Sequence, residues 1–503
     1  MKRRVEIVSP STSTSQAQQG WKAARTLRLG AAFVLLVLTF APFALTPNRV
    51  LAQDAATGIT HGPLSGEVTA DAVTLWARGA GEGELVFAVT TADGTEPVAE
   101  ATVTVDATTD FAGKARIDGL EPATRYAYTV HQGDDGVEFV GTFTTAPAPD
   151  EAAPVRFVFG ACLGGQGYCR NPETGWAIFD TMAAREPDFF VMVGDGVYVD
   201  SACPADEGQN VPGAEEVATD LDGFYGRYKY HLEDPAYASF LANTPIFPTW
   251  DDHEIRDNFG GPELLRINPR LYEEGRKAFF DYWPLADGED ARIYRKVSYG
   301  ANADLFLLDT RSYRDPLVNW DPSPVTGVHK TMLGAEQFAW LRQELAASDA
   351  TWKLIVTSVP IGYPTGFPQP QVEGRDGWAN GGDRSGYETE MMRLLFFLKA
   401  HGIDNVVFIT GDTHWPFAID YDPDQDGTPD FLEVGASPLS AIPLAPGNVD
   451  QTFGPEVLYA EGEFMGDLFN FGEVDIAADG ELTVRILDQE GAERFSETRT
   501  PAP

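Results

Sequence analysis

The chain has 503 residues, with 76 Asp and Glu against 36 Lys and Arg, a formal charge of −40. That length can build two or more domains with full-sized cores, and the charge repels polyphosphate backbones, which excludes long nucleic acids as partners. The 50 Gly and 35 Pro suit a loop-rich α/β protein and are too few for a low-complexity one.

The first predicted segment, residues 1–52, is a signal peptide. Lys2, Arg3, Arg4, Lys22, Arg25 and Arg28 form a basic lead, Ala31 to Leu45 is apolar, and Val50-Leu51-Ala52 stands before the cut. The apolar run is shorter than the roughly 20 residues of a membrane span. We therefore expect no stable span after cleavage, and a secreted, periplasmic or cell-surface protein. The Arg3-Arg4 pair leaves the Sec and twin-arginine routes both open. Beyond residue 52 the chain carries 29 basic and 75 acidic residues, a formal −46, a surface suited to salt or calcium that screens its field.

Residues 56–147 predict an all-β domain. Val73 to Arg78, Leu85 to Val89 and Ala127 to Val130 alternate apolar and polar residues between turn clusters, as in an immunoglobulin or fibronectin-like sandwich. Ala146 to Pro154 reads as a stiff linker. The second domain, 154–497, is α/β. A strand at 155–160, a helix near 176–185 and a strand at 189–193 make a βαβ unit. Strands at 305–308 and 352–359 follow, with helices at 334–347 and 387–400, the latter stopped by Gly402. A hairpin from 473–476 and 481–487 closes the chain.

Four apolar runs end in polar motifs. Cys162 follows 155–160, and Gly194-Asp195-Gly196-Val197-Tyr198 follows 189–193. Asp251-Asp252-His253-Glu254 follows 246–250, and Gly411-Asp412-Thr413-His414 follows 405–410. Ligands gather beyond the carboxyl ends of strands in α/β sheets, so this pattern reads as a metal-dependent hydrolase. Two cations about 3.5–4 Å apart flank an in-line displacement at phosphorus. Asp195, between two glycines, is the candidate bridging carboxylate, and Tyr198 can reach the same side of its turn. Thiolate and phenolate on one ion favour a hard trivalent metal such as Fe3+. Asp195, Asp412 and either Asp252 or Asn258 make an oxygen-rich site suited to Ca2+, Mg2+ or Mn2+. His253 is placed to protonate or hydrogen-bond the leaving oxygen. Arg311 either touches the phosphate or pairs with Asp309 or another carboxylate. Of the three cysteines, Cys169 and Cys203 lie in loop-like sequence and could form a disulfide. Asp422, Asp424, Asp426, Thr428, Asp430 and Glu433 fall at the ligand positions of a 12-residue calcium loop with Gly427 at its turn, without paired helices, which suggests a structural clip.

With these motifs the sequence resembles the alkaline phosphatase D family, the PhoD-like metallophosphatases. The matching pieces are Phe157 to Cys162, Val193-Gly194-Asp195 with Tyr198, Thr249 to Glu254, Leu308 to Arg314, Leu333 to Gln337 and Gly411 to His414, with Gly66 to Arg78 similar to that family's amino-terminal sandwich. The resemblance implies a four-layer αββα metallophosphoesterase domain using Fe3+ and Ca2+. It carries Cys162, Asp195, Tyr198 and His414 onto iron, and Asp195, Asp412 and either Asp252 or Asn258 onto calcium. The run Lys353 to Ser358 lacks the His of ordinary two-metal phosphoesterases. Asp376-Gly377-Trp378 departs from the family pattern, because an insertion-like stretch, 379–385, separates it from Gly386-Tyr387. The expected function is hydrolysis of small phosphate esters, monoesters or diesters, by a metal-activated hydroxide. The alternative is a calcium-stabilised extracellular binding or adhesion protein with an inactive phosphatase site.

Overall fold

The computed structural model describes residues 58–133, 139–205, 209–286, 291–316, 329–365, 376–380 and 386–502. The signal segment lies outside them, as do 381–385 of the insertion-like stretch.

The largest sheet has nine strands. Their order is Glu493–Arg499, Leu482–Asp488, Asn470–Ile476, Val155–Gly160, Phe189–Met192, Ile246–Pro248, Ile59–Gly66, Ala72–Gly79 and Ala112–Asp118. A second sheet orders Arg295–Tyr299, Ala303–Leu307, Trp352–Thr357, Val406–Thr410, Phe431–Gly435, Phe417–Tyr421 and Pro455–Ala460. The third orders Pro97–Val105, Gly83–Thr91, Arg125–Gln132 and Phe139–Thr144, all antiparallel.

The strands that lead to the motifs are nearly continuous apolar runs because both of their faces are covered. Val155–Gly160, Phe189–Met192 and Ile246–Pro248 pair in parallel, as do Ala303–Leu307, Trp352–Thr357 and Val406–Thr410. Strand alternation then sorts the side chains. Phe157, Phe159 and Val191 share one core with Leu305, Val356 and Ile409 of the second sheet. Val158, Phe190 and Met192 instead pack against helices Leu221–Leu232, Pro235–Asn243 and Pro269–Tyr282. Phe306, Ile355 and Phe408 are covered by helices Gly334–Ala347 and Glu388–His401. The last helix ends as its sequence indicates, at Gly402 with φ 61°. The closing hairpin is present, and Glu493–Arg499 adds a third strand to it.

The amino-terminal strands divide between two sheets. Three of them extend the nine-stranded sheet, joined where Gly66 pairs in parallel with Ile246. A Cβ at Gly66 would lie 2.5 Å from the Ile246 carbonyl oxygen, so this join requires glycine. Among the described residues, no helix is long and apolar enough to cross a membrane.

Candidate metal centre

The loops that follow neighbouring parallel strands bring Cys162, Asp195 and the Asp251–Glu254 turn together. Asp412 and His414 arrive from the second sheet, after Val406–Thr410. The Trp250 indole bonds Asp309 Oδ1 at 2.8 Å, and Thr249 Oγ1 bonds the Leu308 carbonyl at 2.7 Å, which ties the two sheets at this point.

The Cys162 thiol lies 3.6 Å from Asp195 Oδ2, and the Tyr198 hydroxyl lies 3.1 Å from the same oxygen. Tyr198 also lies 3.1 Å from His414 Nε2. His414 Nδ1 must donate to the Ile442 carbonyl 2.6 Å away, which turns Nε2 to the cluster. Asp195 Oδ1 accepts the His253 backbone N–H at 3.1 Å. One ligand atom from each of Cys162, Asp195 and His414 lies within 4.8 Å of the others. The same holds for Asp195, Asp252 and His253, and for Asp195, Asp251 and Asp412. Asp195 is common to all three groups. The sequence singled out the same residue as its candidate bridging carboxylate.

The backbone here is held against its preference. Cys162, Asp195, Asn258, Asp412 and His414 have φ of 63°, 52°, 55°, 62° and 63°. Left-handed non-glycine residues cost on the order of 1–2 kcal/mol each and persist where surrounding bonds impose them. Those bonds are present: Leu163 N–H donates to the Asp195 carbonyl at 2.9 Å, Ser440 N–H to the Cys162 carbonyl at 2.9 Å, and His414 N–H to Ser437 Oγ at 2.9 Å.

Burial pushes Asp195 and Asp412 well above the ordinary carboxylate range, and their acidic neighbours add to it. Burial and Asp195 likewise raise the Cys162 thiol and the Tyr198 phenol. Burial lifts Asp251 to about 6 although Arg311 opposes it. Asp251 Oδ2, Asp252 Oδ1 and Asp412 Oδ2 are buried and without hydrogen-bond partners. Asp251 and Asp252 have the Arg311 guanidinium beside them, at 2.6 and 3.6 Å, but Asp195 and Asp412, buried among acids, are stable in ionised form only beside further positive charge. The donors fall into sets that could each hold a cation. The Cys162 thiol, Tyr198 phenol and His414 imidazole stand on one side of Asp195; Asp251, Asp252 and Asp412 stand on the other, with the His253 imidazole among them.

His253 stacks on the Tyr198 ring at 4.1 Å. Its Nδ1 lies 2.8 Å from Asp200 Oδ1, while Asp200 Oδ2 accepts the Asp257 N–H at 2.6 Å. Burial alone would lower its basicity, but Asp252, Asp195 and Asp200 outweigh burial and hold it well above the usual imidazole range.

The Asn258 N–H donates to Asp252 Oδ2 at 2.5 Å, so this residue braces Asp252 through its backbone. Cys169 and Cys203 form the disulfide. The structure favours one of the two readings of Arg311 and counts against one expected loop ligand. Arg311 has no exposed surface; its guanidinium bonds Asp251 at 2.6 Å and grips Asp376 with both nitrogens. Pairing with carboxylates is the second of the two readings its sequence context left open. Glu433 is not a ligand of the 422–433 loop. It lies inside the strand Phe431–Gly435, fully buried, and accepts bonds from Ile361 N–H and the Tyr421 hydroxyl. Asp422, Asp424 and Asp426 do cluster, but Lys399 stands among them, 3.1 Å from Asp424, 3.5 Å from Asp426 and 2.6 Å from Asp430. Thr428 offers its N–H to Asp426 at 2.9 Å.

Sequence reasoning did not single out Asp200, or Asp251 as a member of a ligand group. Asp251 is the first acid of the same motif, and adjacent acids on extended chain cannot be ranked by pattern alone. Asp376, which clasps Arg311 and Arg314, stood in the sequence only as part of a departing motif. Tyr387 N–H bonds the Trp378 carbonyl at 2.7 Å, which holds the two separated parts of that motif together.

Residues 157–485 match the sequence profile of PhoD-like phosphatases, and residues 45–147 that of the PhoD-like phosphatase N-terminal domain. Alkaline phosphatase D of Bacillus subtilis (strain 168) is 28% identical over 329 residues, which cover 60% of this chain and 53% of that protein. The match thus spans about half the length of that relative. A solved structure of PhoD is similar in fold, with a TM-score of 0.71 at 20% identity over 90% of this chain and 94% of the other. Purple acid phosphatase PPD1 from yellow lupin (Lupinus luteus) seeds has a TM-score of 0.57 at 13% identity, over 87% of this chain and 74% of its own.

Proposed function

This chain belongs to the PhoD-like phosphatase family, and from that membership we propose that it hydrolyses small phosphate esters, monoesters or diesters, at a two-cation centre bridged by Asp195. The observation that carries the reading is Asp195 itself, one buried carboxylate common to three groups of potential ligands. In this reading Cys162, Tyr198, His414 and Asp195 hold one cation, for which Fe3+ suits the thiolate and phenolate. Asp195, Asp412 and either Asp252 or Asn258 hold the other, for which Ca2+ suits the oxygen donors. When bound, such ions offset the charge that grows on phosphoryl oxygens and sharpen a water nucleophile.

The chain's own residues do the rest. Asp195 is within reach of both ligand sets and would serve both cations. The His414 ring is held by the Ile442 carbonyl, so that its Nε2 faces inward. His253 gives a proton to the leaving oxygen, and Asp200 keeps that imidazole oriented and charged. Arg311 and Ser358 fix Asp251 Oδ1, with Ser358 Oγ at 2.6 Å.

Two large sheets with helices on their outer faces support a four-layer αββα domain over 154–497, preceded by the β domain at 56–147. We read residues 1–52 as an export signal. The disulfide supports a secreted, periplasmic or cell-surface location. The test is hydrolysis of p-nitrophenyl phosphate and its bis ester, with and without a chelator. Turnover that the chelator abolishes is expected; no turnover of either ester by metal-loaded protein would overturn the reading.

A further inference from the structure

The disulfide joins two particular loops. Cys169 ends the stretch that begins at Cys162, and Cys203 lies on the stretch that carries Asp195 and Tyr198, 34 residues along the chain from Cys169. Both sulfurs touch one group: they lie 3.5 and 3.7 Å from the Gly164 carbonyl oxygen. The next residue, Gly165, packs so tightly on Tyr198 that a Cβ there would lie 2.2 Å from the phenol ring. That ring in turn places its hydroxyl 3.1 Å from both Asp195 and His414. A continuous series of contacts therefore runs from the disulfide through Gly164-Gly165 and the Tyr198 ring to the shared carboxylate.

Helix Leu221–Leu232 braces this series from behind. His231 Nε2 lies 3.1 Å from the Leu163 carbonyl, and Arg227 Nη1 lies 3.4 Å from Cys203 Sγ. His231, Arg227 and Cys203 are all buried. The bond thus rests against the peptide two residues from Cys162.

We propose that the Cys169–Cys203 disulfide is a positioning element of the metal centre, which fixes the approach of the Cys162 loop to Tyr198 and so the centre's hold on its cation. This rests on reading the Asp195 cluster as a metal centre. Cys162 and Asp195 are both held at left-handed φ, and relaxing the loop between Cys162 and Cys169 lets the thiol side of the cluster open while Asp412 keeps its own anchor on the second sheet.

The test uses the full chain with Cys169→Ala/Cys203→Ala, in which Cys162 is the sole thiol. Two quantities are read: the rate at which Cys162 reacts with an aromatic disulfide reagent in metal-free protein, and the rate at which loaded protein gives up metal to a chelator. Supporting groups around a metal typically affect its affinity about 10- to 100-fold, so metal release should quicken by about tenfold, and the Cys162 reaction should accelerate as well. A lower melting temperature with both rates unchanged would overturn the proposal and leave the bond a simple staple. If that variant does not fold, Gly165→Ala, with the disulfide intact, pushes the same loop off the Tyr198 ring. It must accelerate both processes, and unchanged rates there refute the contact path. Wild-type protein that holds no metal would refute the metal-centre reading. The Cys162 reaction rate would still decide whether the disulfide orders the loop.

Discussion

Replacing Arg311 by Met separates a positioning role from a substrate contact. The guanidinium is fully buried and bonds Asp251 at 2.6 Å and both oxygens of Asp376. Removing one partner of a buried ion pair costs about 3–5 kcal/mol, because the other charge is left unpaired. Two observations place Arg311→Met at the low end. Arg314 still reaches Asp376 at 2.7 Å, and Ser358 still bonds Asp251 at 2.6 Å. At roughly 2 cal/mol/K of unfolding entropy per residue, a chain of this size loses about 1 °C per kcal/mol, so the expected fall is about 3 °C. Calorimetry on chelated protein measures that fall without contribution from bound metal. Kinetics on p-nitrophenyl phosphate should show a lower kcat with little change in KM, since the residue acts through Asp251. An unchanged melting temperature with a raised KM would mean that Arg311 touches phosphate and that its burial has been misread.

Other perturbations follow from the same geometry. Gly194→Ala would place a Cβ 2.8 Å from the Asp251 Cβ at φ 137°, so it should lower both stability and retained metal; full retention of both would refute the close approach. His231 is held neutral by burial, at about 3 instead of 6.5. The unfolded chain therefore takes up this proton first, and stability present above pH 6.5 is lost as pH falls toward 3, by at most about 1.4 kcal/mol per pH unit. His231→Gln should remove that slope, and parallel urea-unfolding curves for the two proteins across this range would contradict it. Lys399→Ala should leave Asp424, Asp426 and Asp430 without their ammonium and make thermal stability more responsive to added calcium; an unchanged response would mean that the loop takes no ion.

The centre was legible in the sequence where strong apolar strands end in chemistry. Runs such as Phe189 to Val193 admit few readings, and a Gly-Asp-Gly turn after one of them leaves the carboxylate little to do but face the strand ends. The pairing of Cys169 with Cys203 was open to the same reasoning, since both lie in loop-like sequence. Other features depend on the third dimension. The left-handed backbone at Cys162, Asp412 and His414 has no sequence signature, because none of these is glycine. Asp200 matters only because His253 stacks on Tyr198 and turns Nδ1 outward. The calcium-loop pattern fails at Glu433 because the strand from Phe431 claims its last position, and strand alternation points that side chain inward. Helix Leu221–Leu232 buries Phe224, Tyr225, Tyr228 and Tyr230, and such aromatic residues have only modest intrinsic helix propensity, so the stretch carried no composition signal for a helix. Alternation in the amino-terminal strands foretold a β domain but could not tell that Ile59–Gly66 would join the larger sheet, a join that turns on the missing side chain of Gly66.

The shared carboxylate is tested most directly by counting metal. Wild-type protein and Asp195→Asn are purified in parallel, dialysed, and analysed for bound ions by plasma mass spectrometry. The account expects the variant to lose about two cations per chain relative to wild type, because one carboxylate serves both positions. Equal metal content in the two proteins would contradict it.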